Sequence, residues 1–285
     1  MSGIIDSGTM RRALVVLGAG GTIGRGVVEA ALEAGEAVVA VGMDAAAHDR
    51  LRAAYPAARL VIAEAAIASD ADAARLAAAL RATRIGISGV VASLAGTHPC
   101  GRLMDEPAEL LRRTLDEDLL PHLFAARHLL PLLAAGNGGY VLVGGPGGRY
   151  PWAGYGHCSI AAAALRMMAR VLHDEAGRQG QRVQLLSMDA PVAADATAAA
   201  LALGRRALAM LGTAHHGAPM PVVDYVAPMT SGVIASASSA VASFPPRPGH
   251  DAGGIPDGRD LHAARVLLDA ITSPMSPGSL HDEHR

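Results

Sequence analysis

The chain of 285 residues is 51% hydrophobic and carries a formal net charge of −2 at pH 7, which is enough apolar material for one large core. The near-neutral charge and the lack of a basic cluster argue against nucleic acid as a partner. No apolar stretch opens the chain, and Pro228 interrupts the longest uncharged run, residues 225–246. We therefore expect neither a secretory signal nor a membrane span, and a cytoplasmic protein.

The predicted elements alternate short apolar strands with amphipathic helices, as βαβ units do. The predicted strands are residues 13–17, 37–41, 59–63, 89–93, 140–143, 182–187 and 221–225. The predicted helices are residues 23–34, 71–80, 115–134, 155–176 and 197–211. Strands this short and apolar need helices on both sides of a parallel sheet. The predicted fold class is therefore α/β, a Rossmann-type, doubly wound, parallel seven-stranded sheet with helices on both faces.

The alternation of strands and helices defines one predicted domain over residues 11–226. Residues 1–10 are expected to be a flexible N-terminus. Beyond residue 226 the alternation stops, and a Pro- and Gly-rich stretch leads to one short amphipathic helix predicted at residues 259–271. We expect residues 227–285 to form a partly disordered C-terminal extension.

A glycine-rich turn, GAGGTIG at residues 18–24, connects the first predicted strand to the first predicted helix. Such a motif binds a dinucleotide in this strand–helix context, and a tight turn without a ligand is the alternative. Gly18 allows the tight turn, Gly21 lets the backbone approach a pyrophosphate, and Gly24 allows close packing of the helix on the strand. The expected cofactor contacts in this turn are Gly18, Gly20, Gly21, Thr22, Ile23 and Gly24.

Met43 and Asp44 follow the second predicted strand, where dinucleotide folds place a residue that contacts the ribose. Asp44 could bind the ribose hydroxyls of NAD, whereas His48 or Arg50 could bind the 2′-phosphate of NADP. Asp44 is equally suited to capping the next helix. The sequence therefore predicts NAD or NADP without choosing between them.

Further motifs lie along the domain: SLAG (residues 93–96) after the fourth predicted strand, Tyr155 at the start of a long helix, LHDEAGRQGQRVQ (residues 172–184) and PVVDY (residues 221–225). Together with the glycine turn they resemble the short-chain dehydrogenase/reductase family over residues 13–225. The resemblance implies a reaction at a carbonyl or alcohol beside a nicotinamide cofactor. It also implies cofactor contacts at Ile67, Ala95 and Gly96.

The catalytic residues of that family are matched only in part. In the family a tyrosine is the acid/base, a lysine four residues later lowers its pKa, a serine holds the substrate oxygen, and an asparagine supports a water relay. Tyr155 matches the tyrosine, Ser159 stands at the lysine position, and Asp118 stands at the asparagine position. The stretch GGPGG (residues 144–148) replaces the serine, and the whole chain contains no lysine.

These changes affect the two directions of the reaction differently. An unassisted tyrosine has a pKa near 10, so about one molecule in a thousand is phenolate at pH 7. Tyr155 is then a poor base for alcohol oxidation but a usable proton donor. Losing one preorganised donor to an oxyanion costs on the order of a hundredfold or more in rate. Reduction is therefore less impaired than oxidation.

The predicted helices at residues 115–134 and 155–176 carry apolar side chains on more than one face. The resemblance implies that they form the contact of a homodimer, or of a heterodimer or tetramer with a relative. Ordinary packing on the sheet is the alternative. The histidine pairs His122/His128 and His215/His216 lack ligand spacing on one helix face, so no metal site is predicted.

Two functions remain open from the sequence. The first is an NAD(P)-dependent oxidoreductase of the carbonyl reductase type, acting on a small molecule with a degraded Ser/Tyr/Lys set; the glycine turn and Tyr155 favour it. The second is a catalytically silent or repurposed homologue, namely a partner subunit of an active relative, a nucleotide sensor, or a non-redox dehydratase or cyclase. The missing lysine and serine favour this second function.

Overall fold

The computed structural model describes residues 12–133, 138–193, 195–212 and 220–226. The N-terminal segment predicted at residues 1–10 and the C-terminal extension predicted at residues 227–285, with its helix, lie outside the described residues. Within the described ranges, no helix is both long enough and apolar enough to cross a membrane.

Seven strands are present in the described part of the chain. They are β1 (Arg12–Leu17), β2 (Val38–Val41), β3 (Leu60–Ala63), β4 (Gly86–Ala92), β5 (Gly139–Gly144), β6 (Arg182–Met188) and β7 (Val222–Tyr225). All pair in parallel, in the order β3-β2-β1-β4-β5-β6-β7. The predicted seven-stranded doubly wound sheet is confirmed. The strand order reverses between β1 and β4, and sheets of this kind bind ligands in the crevice outside the carboxyl ends of the strands at that point.

Helices cover both faces of the sheet and form a separate hydrophobic core on each face. They are α1 (Thr22–Glu33), α2 (Ala45–Ala54), α3 (Asp70–Thr83), α4 (Ala108–Asp118), α5 (Leu120–Leu129), α6 (Gly156–Gly177) and α7 (Thr197–Leu211). On β1, Val15 and Leu17 belong to the core shared with α3, α5 and α6, whereas Leu14 and Val16 belong to the core shared with α1, α2 and α7. Successive side chains of a strand point to opposite faces, so both faces of a buried strand must be apolar.

The helix predicted over residues 115–134 is wrong as a single element. The chain instead forms α4 and α5, separated at Leu119, and then a short 3₁₀ turn at Leu130–Leu132. Pro121 is the physical reason, because it lacks the N–H that a continuous helix would direct at the carbonyl of Glu117. The break leaves Asp118 at the end of α4, beside the crevice.

Candidate nucleotide-binding and catalytic site

The glycine turn (residues 18–24) lies at the carboxyl end of β1, where the strand order reverses. Gly18 has a φ of +70°, and a Cβ at this position would overlap the carbonyl oxygen of Ser93, directly after β4. A Cβ on Gly24 would overlap the carbonyl oxygen of Gly18. The fold therefore requires glycine at both positions, and the start of α1 lies against the ends of β1 and β4.

Gly20 and Gly21 differ in what the fold demands of them. The N–H of Gly20 donates to the carbonyl of Gly42 at 3.1 Å, and a Cβ on Gly20 would lie 2.5 Å from the same oxygen. A Cβ on Gly21 would have one neighbour within 4 Å in the described part of the chain, the Gly18 oxygen at an ordinary 3.4 Å. The backbone of Gly20 therefore packs directly against the backbone of Gly42, which requires glycine at position 20. Internal packing does not require glycine at position 21.

The N-terminus of α1 opens towards the same crevice. Gly21 precedes the helix in an extended conformation, with φ −70° and ψ 162°. The N–H groups of Thr22, Ile23 and Gly24 lie in the first turn, where no earlier helical carbonyl exists to accept them. Free N–H groups and the positive end of the helix dipole make such a terminus a binding site for a phosphate.

After β2, Asp44 is an exposed residue that caps α2. Its carboxylate accepts a hydrogen bond from the N–H of Ala47 at 2.7 Å, so the structure shows the capping role that the sequence left open. Met43 is buried in the core on the α1 side of the sheet. His48 accepts a hydrogen bond from Arg52 at 3.1 Å. These contacts do not select NAD or NADP, and ribose contacts by Met43 and Asp44 stay predictions.

Three further predicted cofactor contacts follow the carboxyl ends of β3 and β4. Ile67, after β3, is buried in the core on the α3 side, whereas Ala95, after β4, is exposed. Gly96 follows Ala95, and its N–H donates to Asp118 at 2.7 Å. Their contacts with a nucleotide stay predictions.

The segment of residues 93–101, here called the linking segment, joins the glycine turn to Tyr155. Ser93 at one end lies against Gly18. Gly101 at the other end forms a parallel bridge with Tyr155, and its N–H donates to the carbonyl of Gly154 at 2.8 Å. Between these ends, buried His122 of α5 donates from Nε2 to the carbonyl of Leu94 at 2.9 Å. The turn and the tyrosine are thus held on one continuous, anchored stretch of chain.

Tyr155 is half-buried and precedes the first residue of α6. Its ring stacks on Trp152, with the ring centroids 4.0 Å apart. Burial raises the pKa of the Tyr155 phenol, and the neighbouring thiols of Cys100 and Cys158 raise it further. Tyr155 is therefore a neutral phenol at physiological pH, able to donate a proton and unsuited to accept one.

Ser159, at the lysine position, uses its hydroxyl to hold the loop before α6. Its Oγ accepts from the N–H of Trp152 at 2.9 Å and donates to the carbonyl of Tyr155 at 3.0 Å. The side chain is buried, and a Cβ on Gly147 would lie 2.6 Å from its Oγ. Gly147, within the glycine stretch at the serine position, has a φ of +94°. The two replaced positions therefore pack against each other, and Ser159 positions the backbone that carries Tyr155.

Asp118, at the asparagine position, organises the linking segment. Besides the N–H of Gly96, its Oδ1 accepts from Nε2 of His98 at 2.9 Å. The other ring nitrogen of His98 lies 3.5 Å from the Oγ1 of Thr114 and 3.8 Å from a carboxylate oxygen of Glu117. The His98 imidazole is thus enclosed by polar groups of α4, and its side chain is only 4% exposed.

His157 and Cys158, in the first turn of α6, complete this region. His157 is fully buried, and its ring meets that of His98 edge-on with centroids 5.8 Å apart. Burial lowers the pKa of His157, and the neighbouring His98 lowers it further, so the ring is neutral at pH 7. Burial also raises the pKa of the Cys158 thiol to about 11, and the carboxylate of Asp118 acts in the same direction.

Sequence reasoning missed His98, because its partners Asp118 and Cys158 lie far away along the chain and only the fold brings them together. The usable signal is local: a histidine two residues beyond SLAG, on the segment that the family resemblance places beside the cofactor.

Comparisons with known proteins agree with this architecture. Residues 18–232 match the family model described as enoyl-(acyl carrier protein) reductase. A search of curated proteins gave no significant match. Among solved structures, the chain is similar to a short-chain dehydrogenase from Streptomyces avermitilis, with a TM-score of 0.64 and 21% identity over 75% of this chain and 89% of that one.

A second solved structure is similar in sequence as well as in fold. It is the NADPH-bound short chain oxidoreductase from Pseudomonas aeruginosa PAO1, described as containing an atypical catalytic center. The TM-score is 0.57, with 26% identity over 62% of this chain and 70% of that one. A short-chain dehydrogenase from Rhodopseudomonas palustris matches with a TM-score of 0.63 and 17% identity over 77% of this chain and 99% of that one. The matched family model, the doubly wound sheet and the glycine turn together show that this chain belongs to the short-chain dehydrogenase/reductase family.

Proposed function

We propose that this protein binds NADH or NADPH at the glycine turn and reduces a small carbonyl compound, with Tyr155 as the proton donor. The observation that carries the proposal is the linking segment, which contacts Gly18 at Ser93 and pairs with Tyr155 at Gly101. It connects a phosphate cradle and a protonated phenol along one side of the crevice.

The residues at the turn fit a dinucleotide. Positions 18, 20 and 24 have no room for a Cβ, so the backbone there is tightly folded behind the first turn of α1. An anion bound at this turn would accept hydrogen bonds from the backbone N–H groups of the first turn of α1. The Pseudomonas aeruginosa relative binds NADPH although its catalytic center is described as atypical. That precedent supports nucleotide binding by a chain whose catalytic residues also depart from the family pattern.

A reduced nicotinamide supplies a hydride to the carbonyl carbon of the substrate. Tyr155 donates its phenolic proton to the carbonyl oxygen and regains a proton from solvent. Since the pKa of Tyr155 is raised, the donor form predominates at neutral pH, which favours reduction over oxidation.

The glycine stretch at the serine position weakens this chemistry. Residues 144–148 offer backbone N–H groups where the family resemblance implies a hydroxyl. Each missing preorganised donor costs on the order of a hundredfold in rate. We therefore expect a slow reductase, unless another group of this chain replaces the missing serine and lysine.

The test is a fluorescence titration with NADH and with NADPH, followed by reduction of a panel of aldehydes and ketones. Tyr155→Phe removes the proton donor and is expected to lower kcat by about 10²–10⁴-fold while leaving nucleotide affinity unchanged. Tyr150→Phe is the matched control, because Tyr150 lies in the same loop with 69% of its surface exposed. It is expected to reduce carbonyls like the unmodified chain.

The outcomes separate the two functions that the sequence left open. Binding of neither cofactor would overturn the proposal entirely. Nucleotide binding without carbonyl reduction would instead support the silent or repurposed homologue, and reduction unaffected by Tyr155→Phe would show that Tyr155 is not the proton donor.

We also infer a dimer formed through α5 and α6. Ile160, Met167 and Val171 share one face of α6 and are exposed, and Leu123 of α5 is exposed as well. A stripe of large apolar side chains on a helix surface is typical of a protein–protein contact. A second copy of this chain is the expected partner, with a family relative as the alternative.

A further inference from the structure

Three side chains from separate parts of the chain converge beside Tyr155: His98 from the linking segment, Asp118 from the end of α4, and Cys158 from the first turn of α6. Their donor atoms all lie within 4.8 Å of one another. Imidazole nitrogen, carboxylate oxygen and thiolate sulfur are the ligands that zinc takes in proteins. We propose that His98, Asp118 and Cys158, the His–Asp–Cys cluster, bind one zinc ion.

The spacing of the cluster suits a tetrahedral ion. Donors bound to zinc at roughly 2.0–2.3 Å lie roughly 3.3–3.7 Å apart in a tetrahedron. Nε2 of His98 and Oδ1 of Asp118 are now 2.9 Å apart, joined by a hydrogen bond that the ion would replace. Bringing every donor within coordination distance therefore takes movements of about 1 Å, which side-chain rotation supplies.

His157 gives a second, independent indication. In the described part of the chain, neither ring nitrogen of this fully buried histidine has a hydrogen-bond partner. Buried polar groups are nearly always paired, because an unpaired one loses its interaction with water and gains no partner in exchange. The ring is held edge-on against His98, so a water or substrate oxygen on the ion would offer a partner to His157.

The charge balance of the proposed site is complete. Binding of the ion displaces the proton of the Cys158 thiol, which leaves to solvent. One carboxylate and one thiolate then neutralise the two positive charges of zinc, and neutral His98 is the third ligand. Three protein ligands leave the fourth position of a tetrahedral ion for water or substrate, as in catalytic zinc sites. The expectation from sequence spacing that the chain holds no metal is replaced by this proposal.

The role of the ion, unlike its binding, rests on the proposed reductase function. A zinc ion at the cluster would polarise the substrate carbonyl as a Lewis acid. It would thereby stabilise the developing oxyanion where the serine hydroxyl and the lysine of the family pattern are missing. A bound reduced nicotinamide would still supply the hydride, and Tyr155 would still supply the proton.

The test uses the full chain, freed of metal by a chelator and titrated with Zn²⁺ by calorimetry, then with Co²⁺ as a spectroscopic probe. One Zn²⁺ per chain is expected, and Co²⁺ is expected to show the near-ultraviolet charge-transfer band of a cobalt–thiolate bond. Cys158→Ser should remove that band, and both Cys158→Ser and His98→Asn should weaken zinc binding by on the order of a hundredfold. Cys100→Ser and His128→Asn, which lie outside the cluster, should bind both ions as the unmodified chain does.

Circular dichroism of each metal-free variant identifies any that fails to fold. If a variant does not fold, the cobalt spectrum of the unmodified chain still tests whether a thiolate binds the ion. No saturable zinc binding, no thiolate band, or undiminished zinc binding by folded Cys158→Ser would each overturn the site. The NADPH titration is done without metal, so failure of nucleotide binding and failure of the zinc site are read separately. Zinc binding that leaves carbonyl reduction unchanged would keep the site and overturn its catalytic role.

Discussion

The two ends of the linking segment (residues 93–101) lie in regions that are packed differently, one by backbone atoms and the other by side chains. At Ser93, the glycine turn is formed by backbone against backbone, and Gly18 and Gly24 have no room for a side chain. At Gly101, the region around Tyr155 is formed by side chains, and Ser159 occupies the position of the family lysine. A side chain at Gly18 or Gly24 would overlap backbone atoms, whereas the loop before α6 already accommodates a side chain at position 159. The fold therefore constrains the glycine turn more strongly than it constrains the side chains around Tyr155.

The largest expected effect that tests this comparison comes from Gly18→Ala. The added Cβ would overlap the Ser93 carbonyl, and the positive φ of Gly18 costs a further 1–2 kcal/mol, roughly, for any residue with a side chain. We expect a loss of at least about 3 kcal/mol in the free energy of unfolding. The affinity of the folded protein for NADPH should fall by at least about tenfold.

Gly35→Ala is the control, because Gly35 has a φ of +76° but no atom of the described chain lies within 4 Å of a Cβ built there. It should lose only about 1–2 kcal/mol and bind NADPH normally. Urea denaturation and a fluorescence titration measure both quantities. Equal losses from the two substitutions would contradict the steric explanation.

Replacing Ser159 tests the side-chain region with an intermediate effect. Ser159→Ala removes two hydrogen bonds and leaves the N–H of Trp152 without its acceptor, at a cost of about 1–3 kcal/mol in the free energy of unfolding. Ser159→Lys places a long charged chain in a buried position that packs against Gly147, so it should destabilise the fold further.

If position 159 were only a vacated lysine site, Ser159→Lys would raise the rate of carbonyl reduction. We expect no such gain, because the hydroxyl of Ser159 holds the loop that carries Tyr155. Initial rates with NADPH and a reactive aldehyde, measured beside thermal unfolding, distinguish these outcomes.

The smallest expected effect on the single chain comes from Met167→Glu. Met167 lies in the middle of the exposed apolar stripe of α6 and is 55% exposed, so a charge there should change the stability of the monomer by less than about 0.5 kcal/mol. It should nevertheless separate a dimer that buries this stripe, as measured by sedimentation velocity. Met104→Glu, at an exposed methionine outside α5 and α6, should leave the dimer intact. Dissociation by both substitutions, or by neither, would argue against an interface at this stripe.

Local patterns explain why most strands and the glycine turn could be predicted from the sequence. A run such as 13–17 is apolar at every position, and a buried parallel strand is apolar on both faces. The break between α4 and α5 was the exception, since apolar residues continue across it and Pro121 is the local signal against a single helix. α2 was suggested only as the helix that Asp44 caps, because it buries few apolar residues.

The sequence by itself determined the sheet, the glycine turn and the absence of lysine, because these follow from composition and from neighbours along the chain. Tertiary structure decided which groups surround Tyr155. Only the folded chain brings His98 to Asp118 at 2.9 Å and places Cys158 beside them. The fold also brings the hydroxyl of Ser159 within hydrogen-bond distance of two backbone groups, the N–H of Trp152 and the carbonyl of Tyr155. Contacts between residues distant in sequence depend on the path of the whole backbone, which no local pattern specifies.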